Sequence, residues 1–314
     1  MIFAPSYYTD FKCTAGACSH SCCIAWEIDI DKTAYKKYKR LKCDVGKRII
    51  DSIDNTDTPH FALAEDGRCP HLNKDGLCNI IISLGEDYLC DICREHPRFY
   101  NHFYSDGRPR CEVGVGAACE SAARLILTSD AYAELVAIDA PCTKAKCDKP
   151  KGIDILAERQ KIYARLNNGD MPSQDKIAEI AEEYGVSPRR LSTENIYNLY
   201  SSLEYLDEES KDFFLRAHKS RPRLTLVGDE LVKRYFAYLI YRYIAKSRSA
   251  RELSTYVAMC AMLAELFSGC LGDNPGIEAA VRSAVRVSEE IEYNPDNIDI
   301  IRFYLDTYGR ESDK

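Results

Sequence analysis

The sequence predicts a mostly α protein with a small β-hairpin: a cysteine-rich metal-binding N-terminal region followed by a C-terminal helical domain. Three observations predict it. Eleven of the fifteen cysteines fall between Cys13 and Cys119. Beyond residue 154, apolar residues recur at a spacing of about 3.6 with no strand-rich segment between them. Strand-like alternation is confined to the stretch around Ser105, Asp106 and Gly107.

Taken in order, Asp31 stands where an N-cap belongs, ahead of the helical stretch AYKKYKRL. A second helix is expected from Leu77 to about Glu95, stopped ahead of Pro97, with Cys78, Cys90 and Cys93 riding on it. The segment RFYNHFYSDGRPRCEV reads as a hairpin turning near Asp106 and Gly107, which places Cys111 on its second strand. Next, CESAARLILTSDAYAEL has helical spacing and puts Cys119 at a helix start. Residues 138–152, IDAPCTKAKCDKPKG, hold two prolines, four lysines and a glycine, the composition of a connecting segment. The expected division is therefore a cysteine-rich domain over residues 1–137, a linker over 138–153 and a helical domain over 154–314. Within the last, ILAERQKIYARL, SQDKIAEIAEEYG, TENIYNLYSSLEYL, DELVKRYFAYLIYRYIA, ELSTYVAMCAMLAELF and PDNIDIIRFYLDTYG are each expected to be helical. Their many tyrosines on apolar faces suit either core packing or a groove for a partner's helices.

With 46% hydrophobic and 29% charged residues, the composition is that of a soluble globular protein. A net charge of −7 repels a polyanion on average, so nucleic acid is not an expected partner. The opening MIFAPSYYTDFKC lacks the basic segment and apolar run of a secretory signal. Residues 256–272 are interrupted by Glu265 and fall short of the ~18 apolar residues of a membrane span, so a buried helix is expected there and no membrane partner. Together these readings place the chain in the cytoplasm, where thiols stay reduced and so many cysteines argue for metal ligation.

The first cysteine cluster is Cys13-x4-Cys18-x3-Cys22-Cys23, four soft ligands on one short loop, as zinc or an iron–sulfur centre requires. Successive side chains point apart, so Cys22 and Cys23 are not expected to share one ion, which leaves room for two metal centres or one spare thiol. The second cluster is CPHLNKDGLC, Cys69 to Cys78, followed by Cys90-x2-Cys93. Here Asp75-Gly76 turns the chain so that the flanking thiols can meet. A metal shared between the Cys13–Cys23 loop and the Cys69–Cys119 segment would staple the region. The candidate metal ligands are Cys13, Cys18, Cys22, Cys23, Cys69, Cys78, Cys93 and Cys119. Cys43, Cys260 and Cys270 read as ordinary buried thiols, and Cys142 and Cys147 as exposed ones in the linker.

Several motifs are missing. No C-x3-C-x2-C triplet of the radical adenosylmethionine kind is present, because Ala25 stands three beyond Cys22, and Arg94 after Cys93 rules out C-x-x-C-H haem attachment. Gly114-Val115-Gly116 lacks the third glycine and the βαβ frame of a nucleotide fingerprint.

The phrases FKCTAGACSHSCCIAWEIDIDKTAYKKY, CPHLNKDGLCNIIISLGEDYLCDICREHPR and CESAARLIL together resemble the flagellin lysine N-methylase family. The resemblance spans roughly residues 5 to 130 and rests on Cys22-Cys23 with Trp26 and Asp29 downstream, the Cys69–Cys78 block, Cys93 with Pro97 and Arg98, and the run from Cys119. The same part also looks like cysteine-cluster proteins proposed to chelate zinc or iron. His96 stands where the family usually has tyrosine or threonine, and Cys90 and Cys111 look like additions of this chain. The resemblance implies methylation of lysine side chains on flagellin, or on another protein substrate, with S-adenosylmethionine as donor and a [4Fe–4S] cluster.

Such chemistry needs a neutral lysine amine, and deprotonating one at pH 7 costs roughly 4–5 kcal/mol. An apolar, aromatic slot lowers that cost by desolvating the ammonium. Tyr7, Tyr8, Trp26, Tyr100 and Tyr104 lie near the cysteine clusters in sequence and could line it, with cation–π attraction of ~0.5–2 kcal/mol. The candidate catalytic residues are Trp26, Asp29 and Tyr100; helix capping accounts for Asp31. Two other function classes remain open: a zinc-stapled binding or adaptor protein without catalysis, and an iron–sulfur electron carrier.

Overall fold

The computed structural model describes residues 2–105, 107–139, 152–207, 209–273 and 275–310. In chain order its strands are β1 (Ile2–Pro5), β2 (Ile28–Asp29), β3 (Ile53–Asp54), β4 (His60–Phe61), β5 (Arg98–Ser105), β6 (Arg108–Val115) and β7 (Leu135–Ile138). The helices of the first half are α1 (Lys32–Arg40), α2 (Asp44–Asp51), α3 (Asn79–Leu84), α4 (Asp91–Glu95) and α5 (Glu120–Thr128). Those of the second are α6 (Ile155–Asn167), α7 (Ser173–Glu183), α8 (Thr193–Ser202), α9 (Ser210–Lys219), α10 (Leu226–Tyr243), α11 (Ala250–Leu271), α12 (Ile277–Val287) and α13 (Pro295–Tyr308). Side-chain caps start many of them: Asp31, Asp154, Ser192, Thr225, Ser249 and Asn294 each accept backbone N–H bonds of the helix that follows.

The chain forms two compact units: residues 12–98 with 119–121, and residues 1–11, 99–118 and 122–314. The hairpin thus belongs with the helices rather than with the cysteines, unlike the expected unbroken 1–137 domain. Pairing explains this: β1 runs parallel to β6 and antiparallel to β7, so the hairpin becomes part of a four-stranded sheet ordered β5-β6-β1-β7. Most of the expected linker, with Cys142 and Cys147, lies outside the described residues.

In the larger unit, α11 packs against α7, α9, α10, α12 and α13. It is the one described helix long and apolar enough to cross a membrane, and 83% of its apolar window is buried inside the protein. Tyr163, Tyr200, Tyr235, Tyr238, Tyr241 and Tyr243 are buried as well. Their hydroxyls are satisfied internally, as in Tyr163 to Ala237 O (2.9 Å), Tyr241 to Val113 O (3.0 Å) and Tyr238 to Glu292 Oε2 (3.0 Å). These rings are core, so they do not line a partner groove.

The smaller unit adds a second sheet that the alternation pattern did not suggest, three strands of two residues each in the order β2-β4-β3. Its core is Ile28, Ile30, Ala34, Tyr38, Ile49, Ile53, Phe61, Ile80 and Cys90. The single helix expected over 77–95 is instead α3, a 3-10 turn at Glu86–Tyr88 and α4. Gly85, at φ +88°, ends α3 because only glycine takes that conformation without strain. Cys78 and Cys90 accordingly do not ride on a helix; each stands at the N-cap position of one.

Candidate metal centre

Nine of the described cysteines besides Cys43 lie in the smaller unit, and two local frameworks position them. The first is the loop from Lys12 to Ser19. A 3-10 turn at Ala15–Ala17 folds it back, and the Ala15 N–H points at Cys13 Sγ (3.4 Å). The segment Cys119–Ser121 clamps it. Glu120 Oε2 accepts from Ser19 N (2.8 Å), Ser19 Oγ (2.7 Å) and Cys18 Sγ (3.4 Å), while Ser121 Oγ donates to Lys12 O (2.8 Å). Those bonds, the Ser19 hydroxyl first, hold the Glu120 carboxyl below its ordinary range. Spacing alone had flagged Cys119 but not the carboxylate beside it.

The second framework pairs the chain after Cys23 with the chain before Cys69. Ile24 bridges Arg68, Ala25 N donates to Gly67 O (2.8 Å), and Cys69 N donates to Cys23 O (2.8 Å). The Cys69–Cys78 loop closes as its Asp-Gly turn suggested. An antiparallel bridge joins Leu72 to Cys78, Gly76 sits at φ +73°, and Asn73 Oδ1 accepts from Asp75 N and Leu77 N, both at 2.9 Å. Cys90 is in the hydrophobic core, with Cys69, Cys78 and Cys93 packed against it. The two loops touch: a Cβ on Gly16 would fall 2.5 Å from Asp75 O.

Electrostatics follow this arrangement. Cys22 and Cys23 share a proton, which keeps Cys22 protonated and holds Cys23 down at about 7, with Ser21 and Arg68 assisting against burial. Cys22 is also repelled by Cys119 and Cys13, whereas the charge of Cys23 is felt at Cys69, Cys78 and Cys93. Burial pushes Cys18 and Cys69 up to about 11. Cys93 and Cys90 share a proton in the same way, lowering Cys90 and raising Cys93.

The donor set suits zinc or an iron–sulfur cluster, since it is all soft thiolate and one member ionises near neutrality. Among the described residues, however, no three His, Cys, Asp or Glu side chains converge on one point. Of the cysteines read as ordinary buried thiols, Cys260 is buried and Cys270 half-buried, but Cys43 is exposed where α2 begins.

The catalytic candidates are not gathered in one unit. Trp26 packs on the core of the cysteine-rich unit, and Asp29 is exposed on β2 opposite His60. Tyr100, 37% exposed, lies on β5 in the other unit with Tyr7, Tyr8 and Tyr104. Tyr7 is buried, which drives its phenol pKa far up. A cavity of about 320 Å³ opens instead beside the thiols, lined by Val45, Arg48, Ser52, His71, Asn79 and Ser83 among others. Part of its wall is made of residues that directly follow Cys69 and Cys78, and the rest comes from α2, its C-cap Ser52 and α3. His71 Nε2 lies 3.0 Å from Ser52 Oγ, which donates to Ile49 O, and burial with Arg48 nearby keeps the imidazole neutral, its pKa about 4.

Compared with known proteins, the chain is 33% identical over 138 residues to the flagellar biosynthetic protein FliU of Salmonella muenchen, a match covering 41% of this chain and 79% of that protein. It is 33% identical over 138 residues to a lysine-N-methylase of Salmonella choleraesuis (strain SC-B67) and 31% over 137 residues to one of Salmonella typhimurium. Each of those matches covers 41% of this chain and a third, 33%, of the methylase. No family model and no solved structure matches.

Proposed function

The chain belongs to the family of the flagellar biosynthetic protein FliU, and from that premise we propose that it is a protein-lysine N-methyltransferase acting on flagellin. S-adenosylmethionine is the methyl donor in this reading, and the cysteine-rich unit holds a [4Fe–4S] cluster. The observation that carries it is the similarity to two proteins named lysine-N-methylase. A cytoplasmic location goes with it, because reducing conditions keep the cysteines as ligating thiols.

Bound donor supplies a methyl group on a sulfonium, and the protein must deliver a neutral amine to it. The cavity at Arg48 and His71 is where we place the donor: Arg48 is exposed at its rim and makes no ion pair among the described residues, leaving it to meet a carboxylate. Trp26 and Asp29, in the same unit, are the residues we assign to the incoming lysine, as an aromatic face and a carboxylate for its ammonium.

Purified chain, handled without oxygen and mixed with flagellin and methyl-labelled S-adenosylmethionine, tests the reading. Label on flagellin lysines supports it. A protein carrying only zinc, with no transfer to flagellin, gives first place to the zinc-stapled binding module.

A further inference from the structure

A second cavity, of about 270 Å³, lies wholly within the larger unit, between the turn that follows α5, the end of α6 and the first half of α10. Asp130, Tyr132 and Glu134 line it from the turn and Asn167 from α6. Glu230, Lys233 and Arg234 line it from α10, where spacings of three and four put them on one helix face. The turn is fixed from behind: Ala131 O accepts from Glu134 N (3.0 Å) and Ser6 Oγ (3.2 Å), and Ser6 N donates to Glu134 O (2.9 Å).

This cavity holds unused hydrogen-bonding capacity of both signs. The Lys233 ammonium has three donors and a side chain only 18% exposed, yet among the described residues its one acceptor is Glu230 Oε1 at 3.2 Å. Arg234 commits Nη1 to Leu127 O (2.9 Å) and Nη2 to Asp130 Oδ1, while its buried Nε makes no hydrogen bond among the described residues and stands 4.0 Å from Glu230 Oε2. Asn167 accepts the Tyr132 hydroxyl on Oδ1, and its amide N–H groups donate to nothing among the described residues. On the acid side, Glu134 is exposed and its carboxylate accepts no bond among the described residues, and Asp130 has one oxygen engaged. Burial raises the Tyr132 phenol pKa; Lys233, the Asn167 bond and Arg234 lower it and Glu230 raises it, so the hydroxyl stands in the field of all three α10 side chains.

We infer that this cavity binds the zwitterionic head of an α-amino acid, its carboxylate met by Lys233 and Asn167 and its ammonium by Glu134 and Asp130. Charge selects the class. A lone anion such as phosphate would meet the carboxylates of Asp130, Glu134 and Glu230, and a lone amine would meet Lys233 and Arg234; a zwitterion satisfies both signs at once. The Tyr132 ring, edge-on to Tyr163, gives the rest of the ligand an aromatic wall beside Ala131 and Ala133. A lysine within a protein chain has neither α-charge, so this is not the place of a methyl acceptor. A free amino acid and the methionyl end of S-adenosylmethionine both carry such a head, and the experiment separates them. The inference is independent of methyl transfer and of the Arg48 cavity.

The test is calorimetric titration of the full-length protein, purified without oxygen, with pools of the protein amino acids and separately with S-adenosylmethionine. At least one α-amino acid should bind, and its amine and its deaminated acid, each lacking one charge, should bind about tenfold more weakly or worse. Lys233→Met should weaken binding about tenfold, and so should Glu134→Gln, an exposed position that keeps the test decisive where Lys233→Met folds poorly. Arg48→Ala should leave it unchanged. S-adenosylmethionine binding that is lost in Lys233→Met and kept in Arg48→Ala would support the site and move the methyl donor into it. No binding of any amino acid or of S-adenosylmethionine to folded protein at millimolar concentration, equal binding of phosphate or of the bare amine, or an affinity unchanged in both variants overturns the inference.

Discussion

Asp31 serves two helix N-termini with one carboxylate: Oδ1 accepts from Thr33 N and Ala34 N at 2.9 Å each, and Oδ2 accepts from Asp91 N at 2.9 Å. It therefore caps α1 and holds the first residue of α4, the helix that carries Cys93. Asp31→Ala should destabilise the protein by about 1–2 kcal/mol through the lost cap alone. It should also speed release of the bound metal to a chelator, measured as decay of its absorption. Unchanged release kinetics would show that α4 does not depend on Asp31.

In the larger unit, Arg159 on α6 grips Glu112 on β6 with Nη1 to Oε1 at 3.0 Å and Nη2 to Oε2 at 2.8 Å, the two side chains 4% and 0% exposed. Removing one partner strands a buried charge, so Glu112→Gln should cost about 3–5 kcal/mol in urea unfolding. Replacing both by apolar residues of similar size should cost less. Equal losses would mean that the pair itself, rather than the stranded arginine, sets the penalty.

Acid should act on the C-terminal helix. Burial by itself would raise the Asp306 pKa, but bonds from Arg251, Arg310 and Thr255 bring it down to about 2 from an ordinary 3.8. A folded-state pKa below the unfolded one gives stability that is present above pH 3.8 and lost as pH falls toward 2. Asp306→Asn should lower Tm at neutral pH, and its difference from wild type should shrink across that window. A pH-independent difference would contradict the assignment.

Gly16 is where the two cysteine loops meet. Gly16→Ala sets a methyl 2.5 Å from Asp75 O, a backbone atom that cannot swing aside. Metal content should fall, whereas Gly276→Ala, with open space at its Cβ, should leave it unchanged. Full metal content in Gly16→Ala would show that the loops need not touch.

At the cavity, Arg48→Ala should weaken S-adenosylmethionine binding about tenfold, the ~1.4 kcal/mol expected at the low end for a hydrogen bond to a charged group. Its metal content should stay that of wild type. Unchanged binding, read by calorimetry, would move the donor elsewhere.

Much of this was legible in the sequence where a local rule governs. The Asp31 cap, the turn at Gly107, the return of the Cys69–Cys78 loop and the six long C-terminal helices all follow from short-range patterns. Long-range pairing was not legible. The membership of β1 and β7 in the hairpin's sheet depends on partners about a hundred residues away, and β2, β3 and β4 are two residues each, too short for alternation to register. Gly85 was a visible break inside the expected 77–95 helix, but the apolar run around it hid the stop. The amphipathic α9 and α12 carried enough periodicity to be found and were missed, as was α2, where Gly46 sits inside the helix. At the site, the thiols announced themselves by spacing, while Glu120 and Ser121, which clamp them, became visible only once folding brought them to the loop.

The most direct measurement is mass spectrometry of flagellin after incubation without oxygen with S-adenosylmethionine and the metal-loaded chain, set beside the same chain carrying Ser at Cys23, Cys69, Cys78 and Cys93. The account predicts methylated lysines from the loaded protein and unmodified flagellin from the variant. Unmodified flagellin from fully loaded protein, or equal methylation by both, would contradict it.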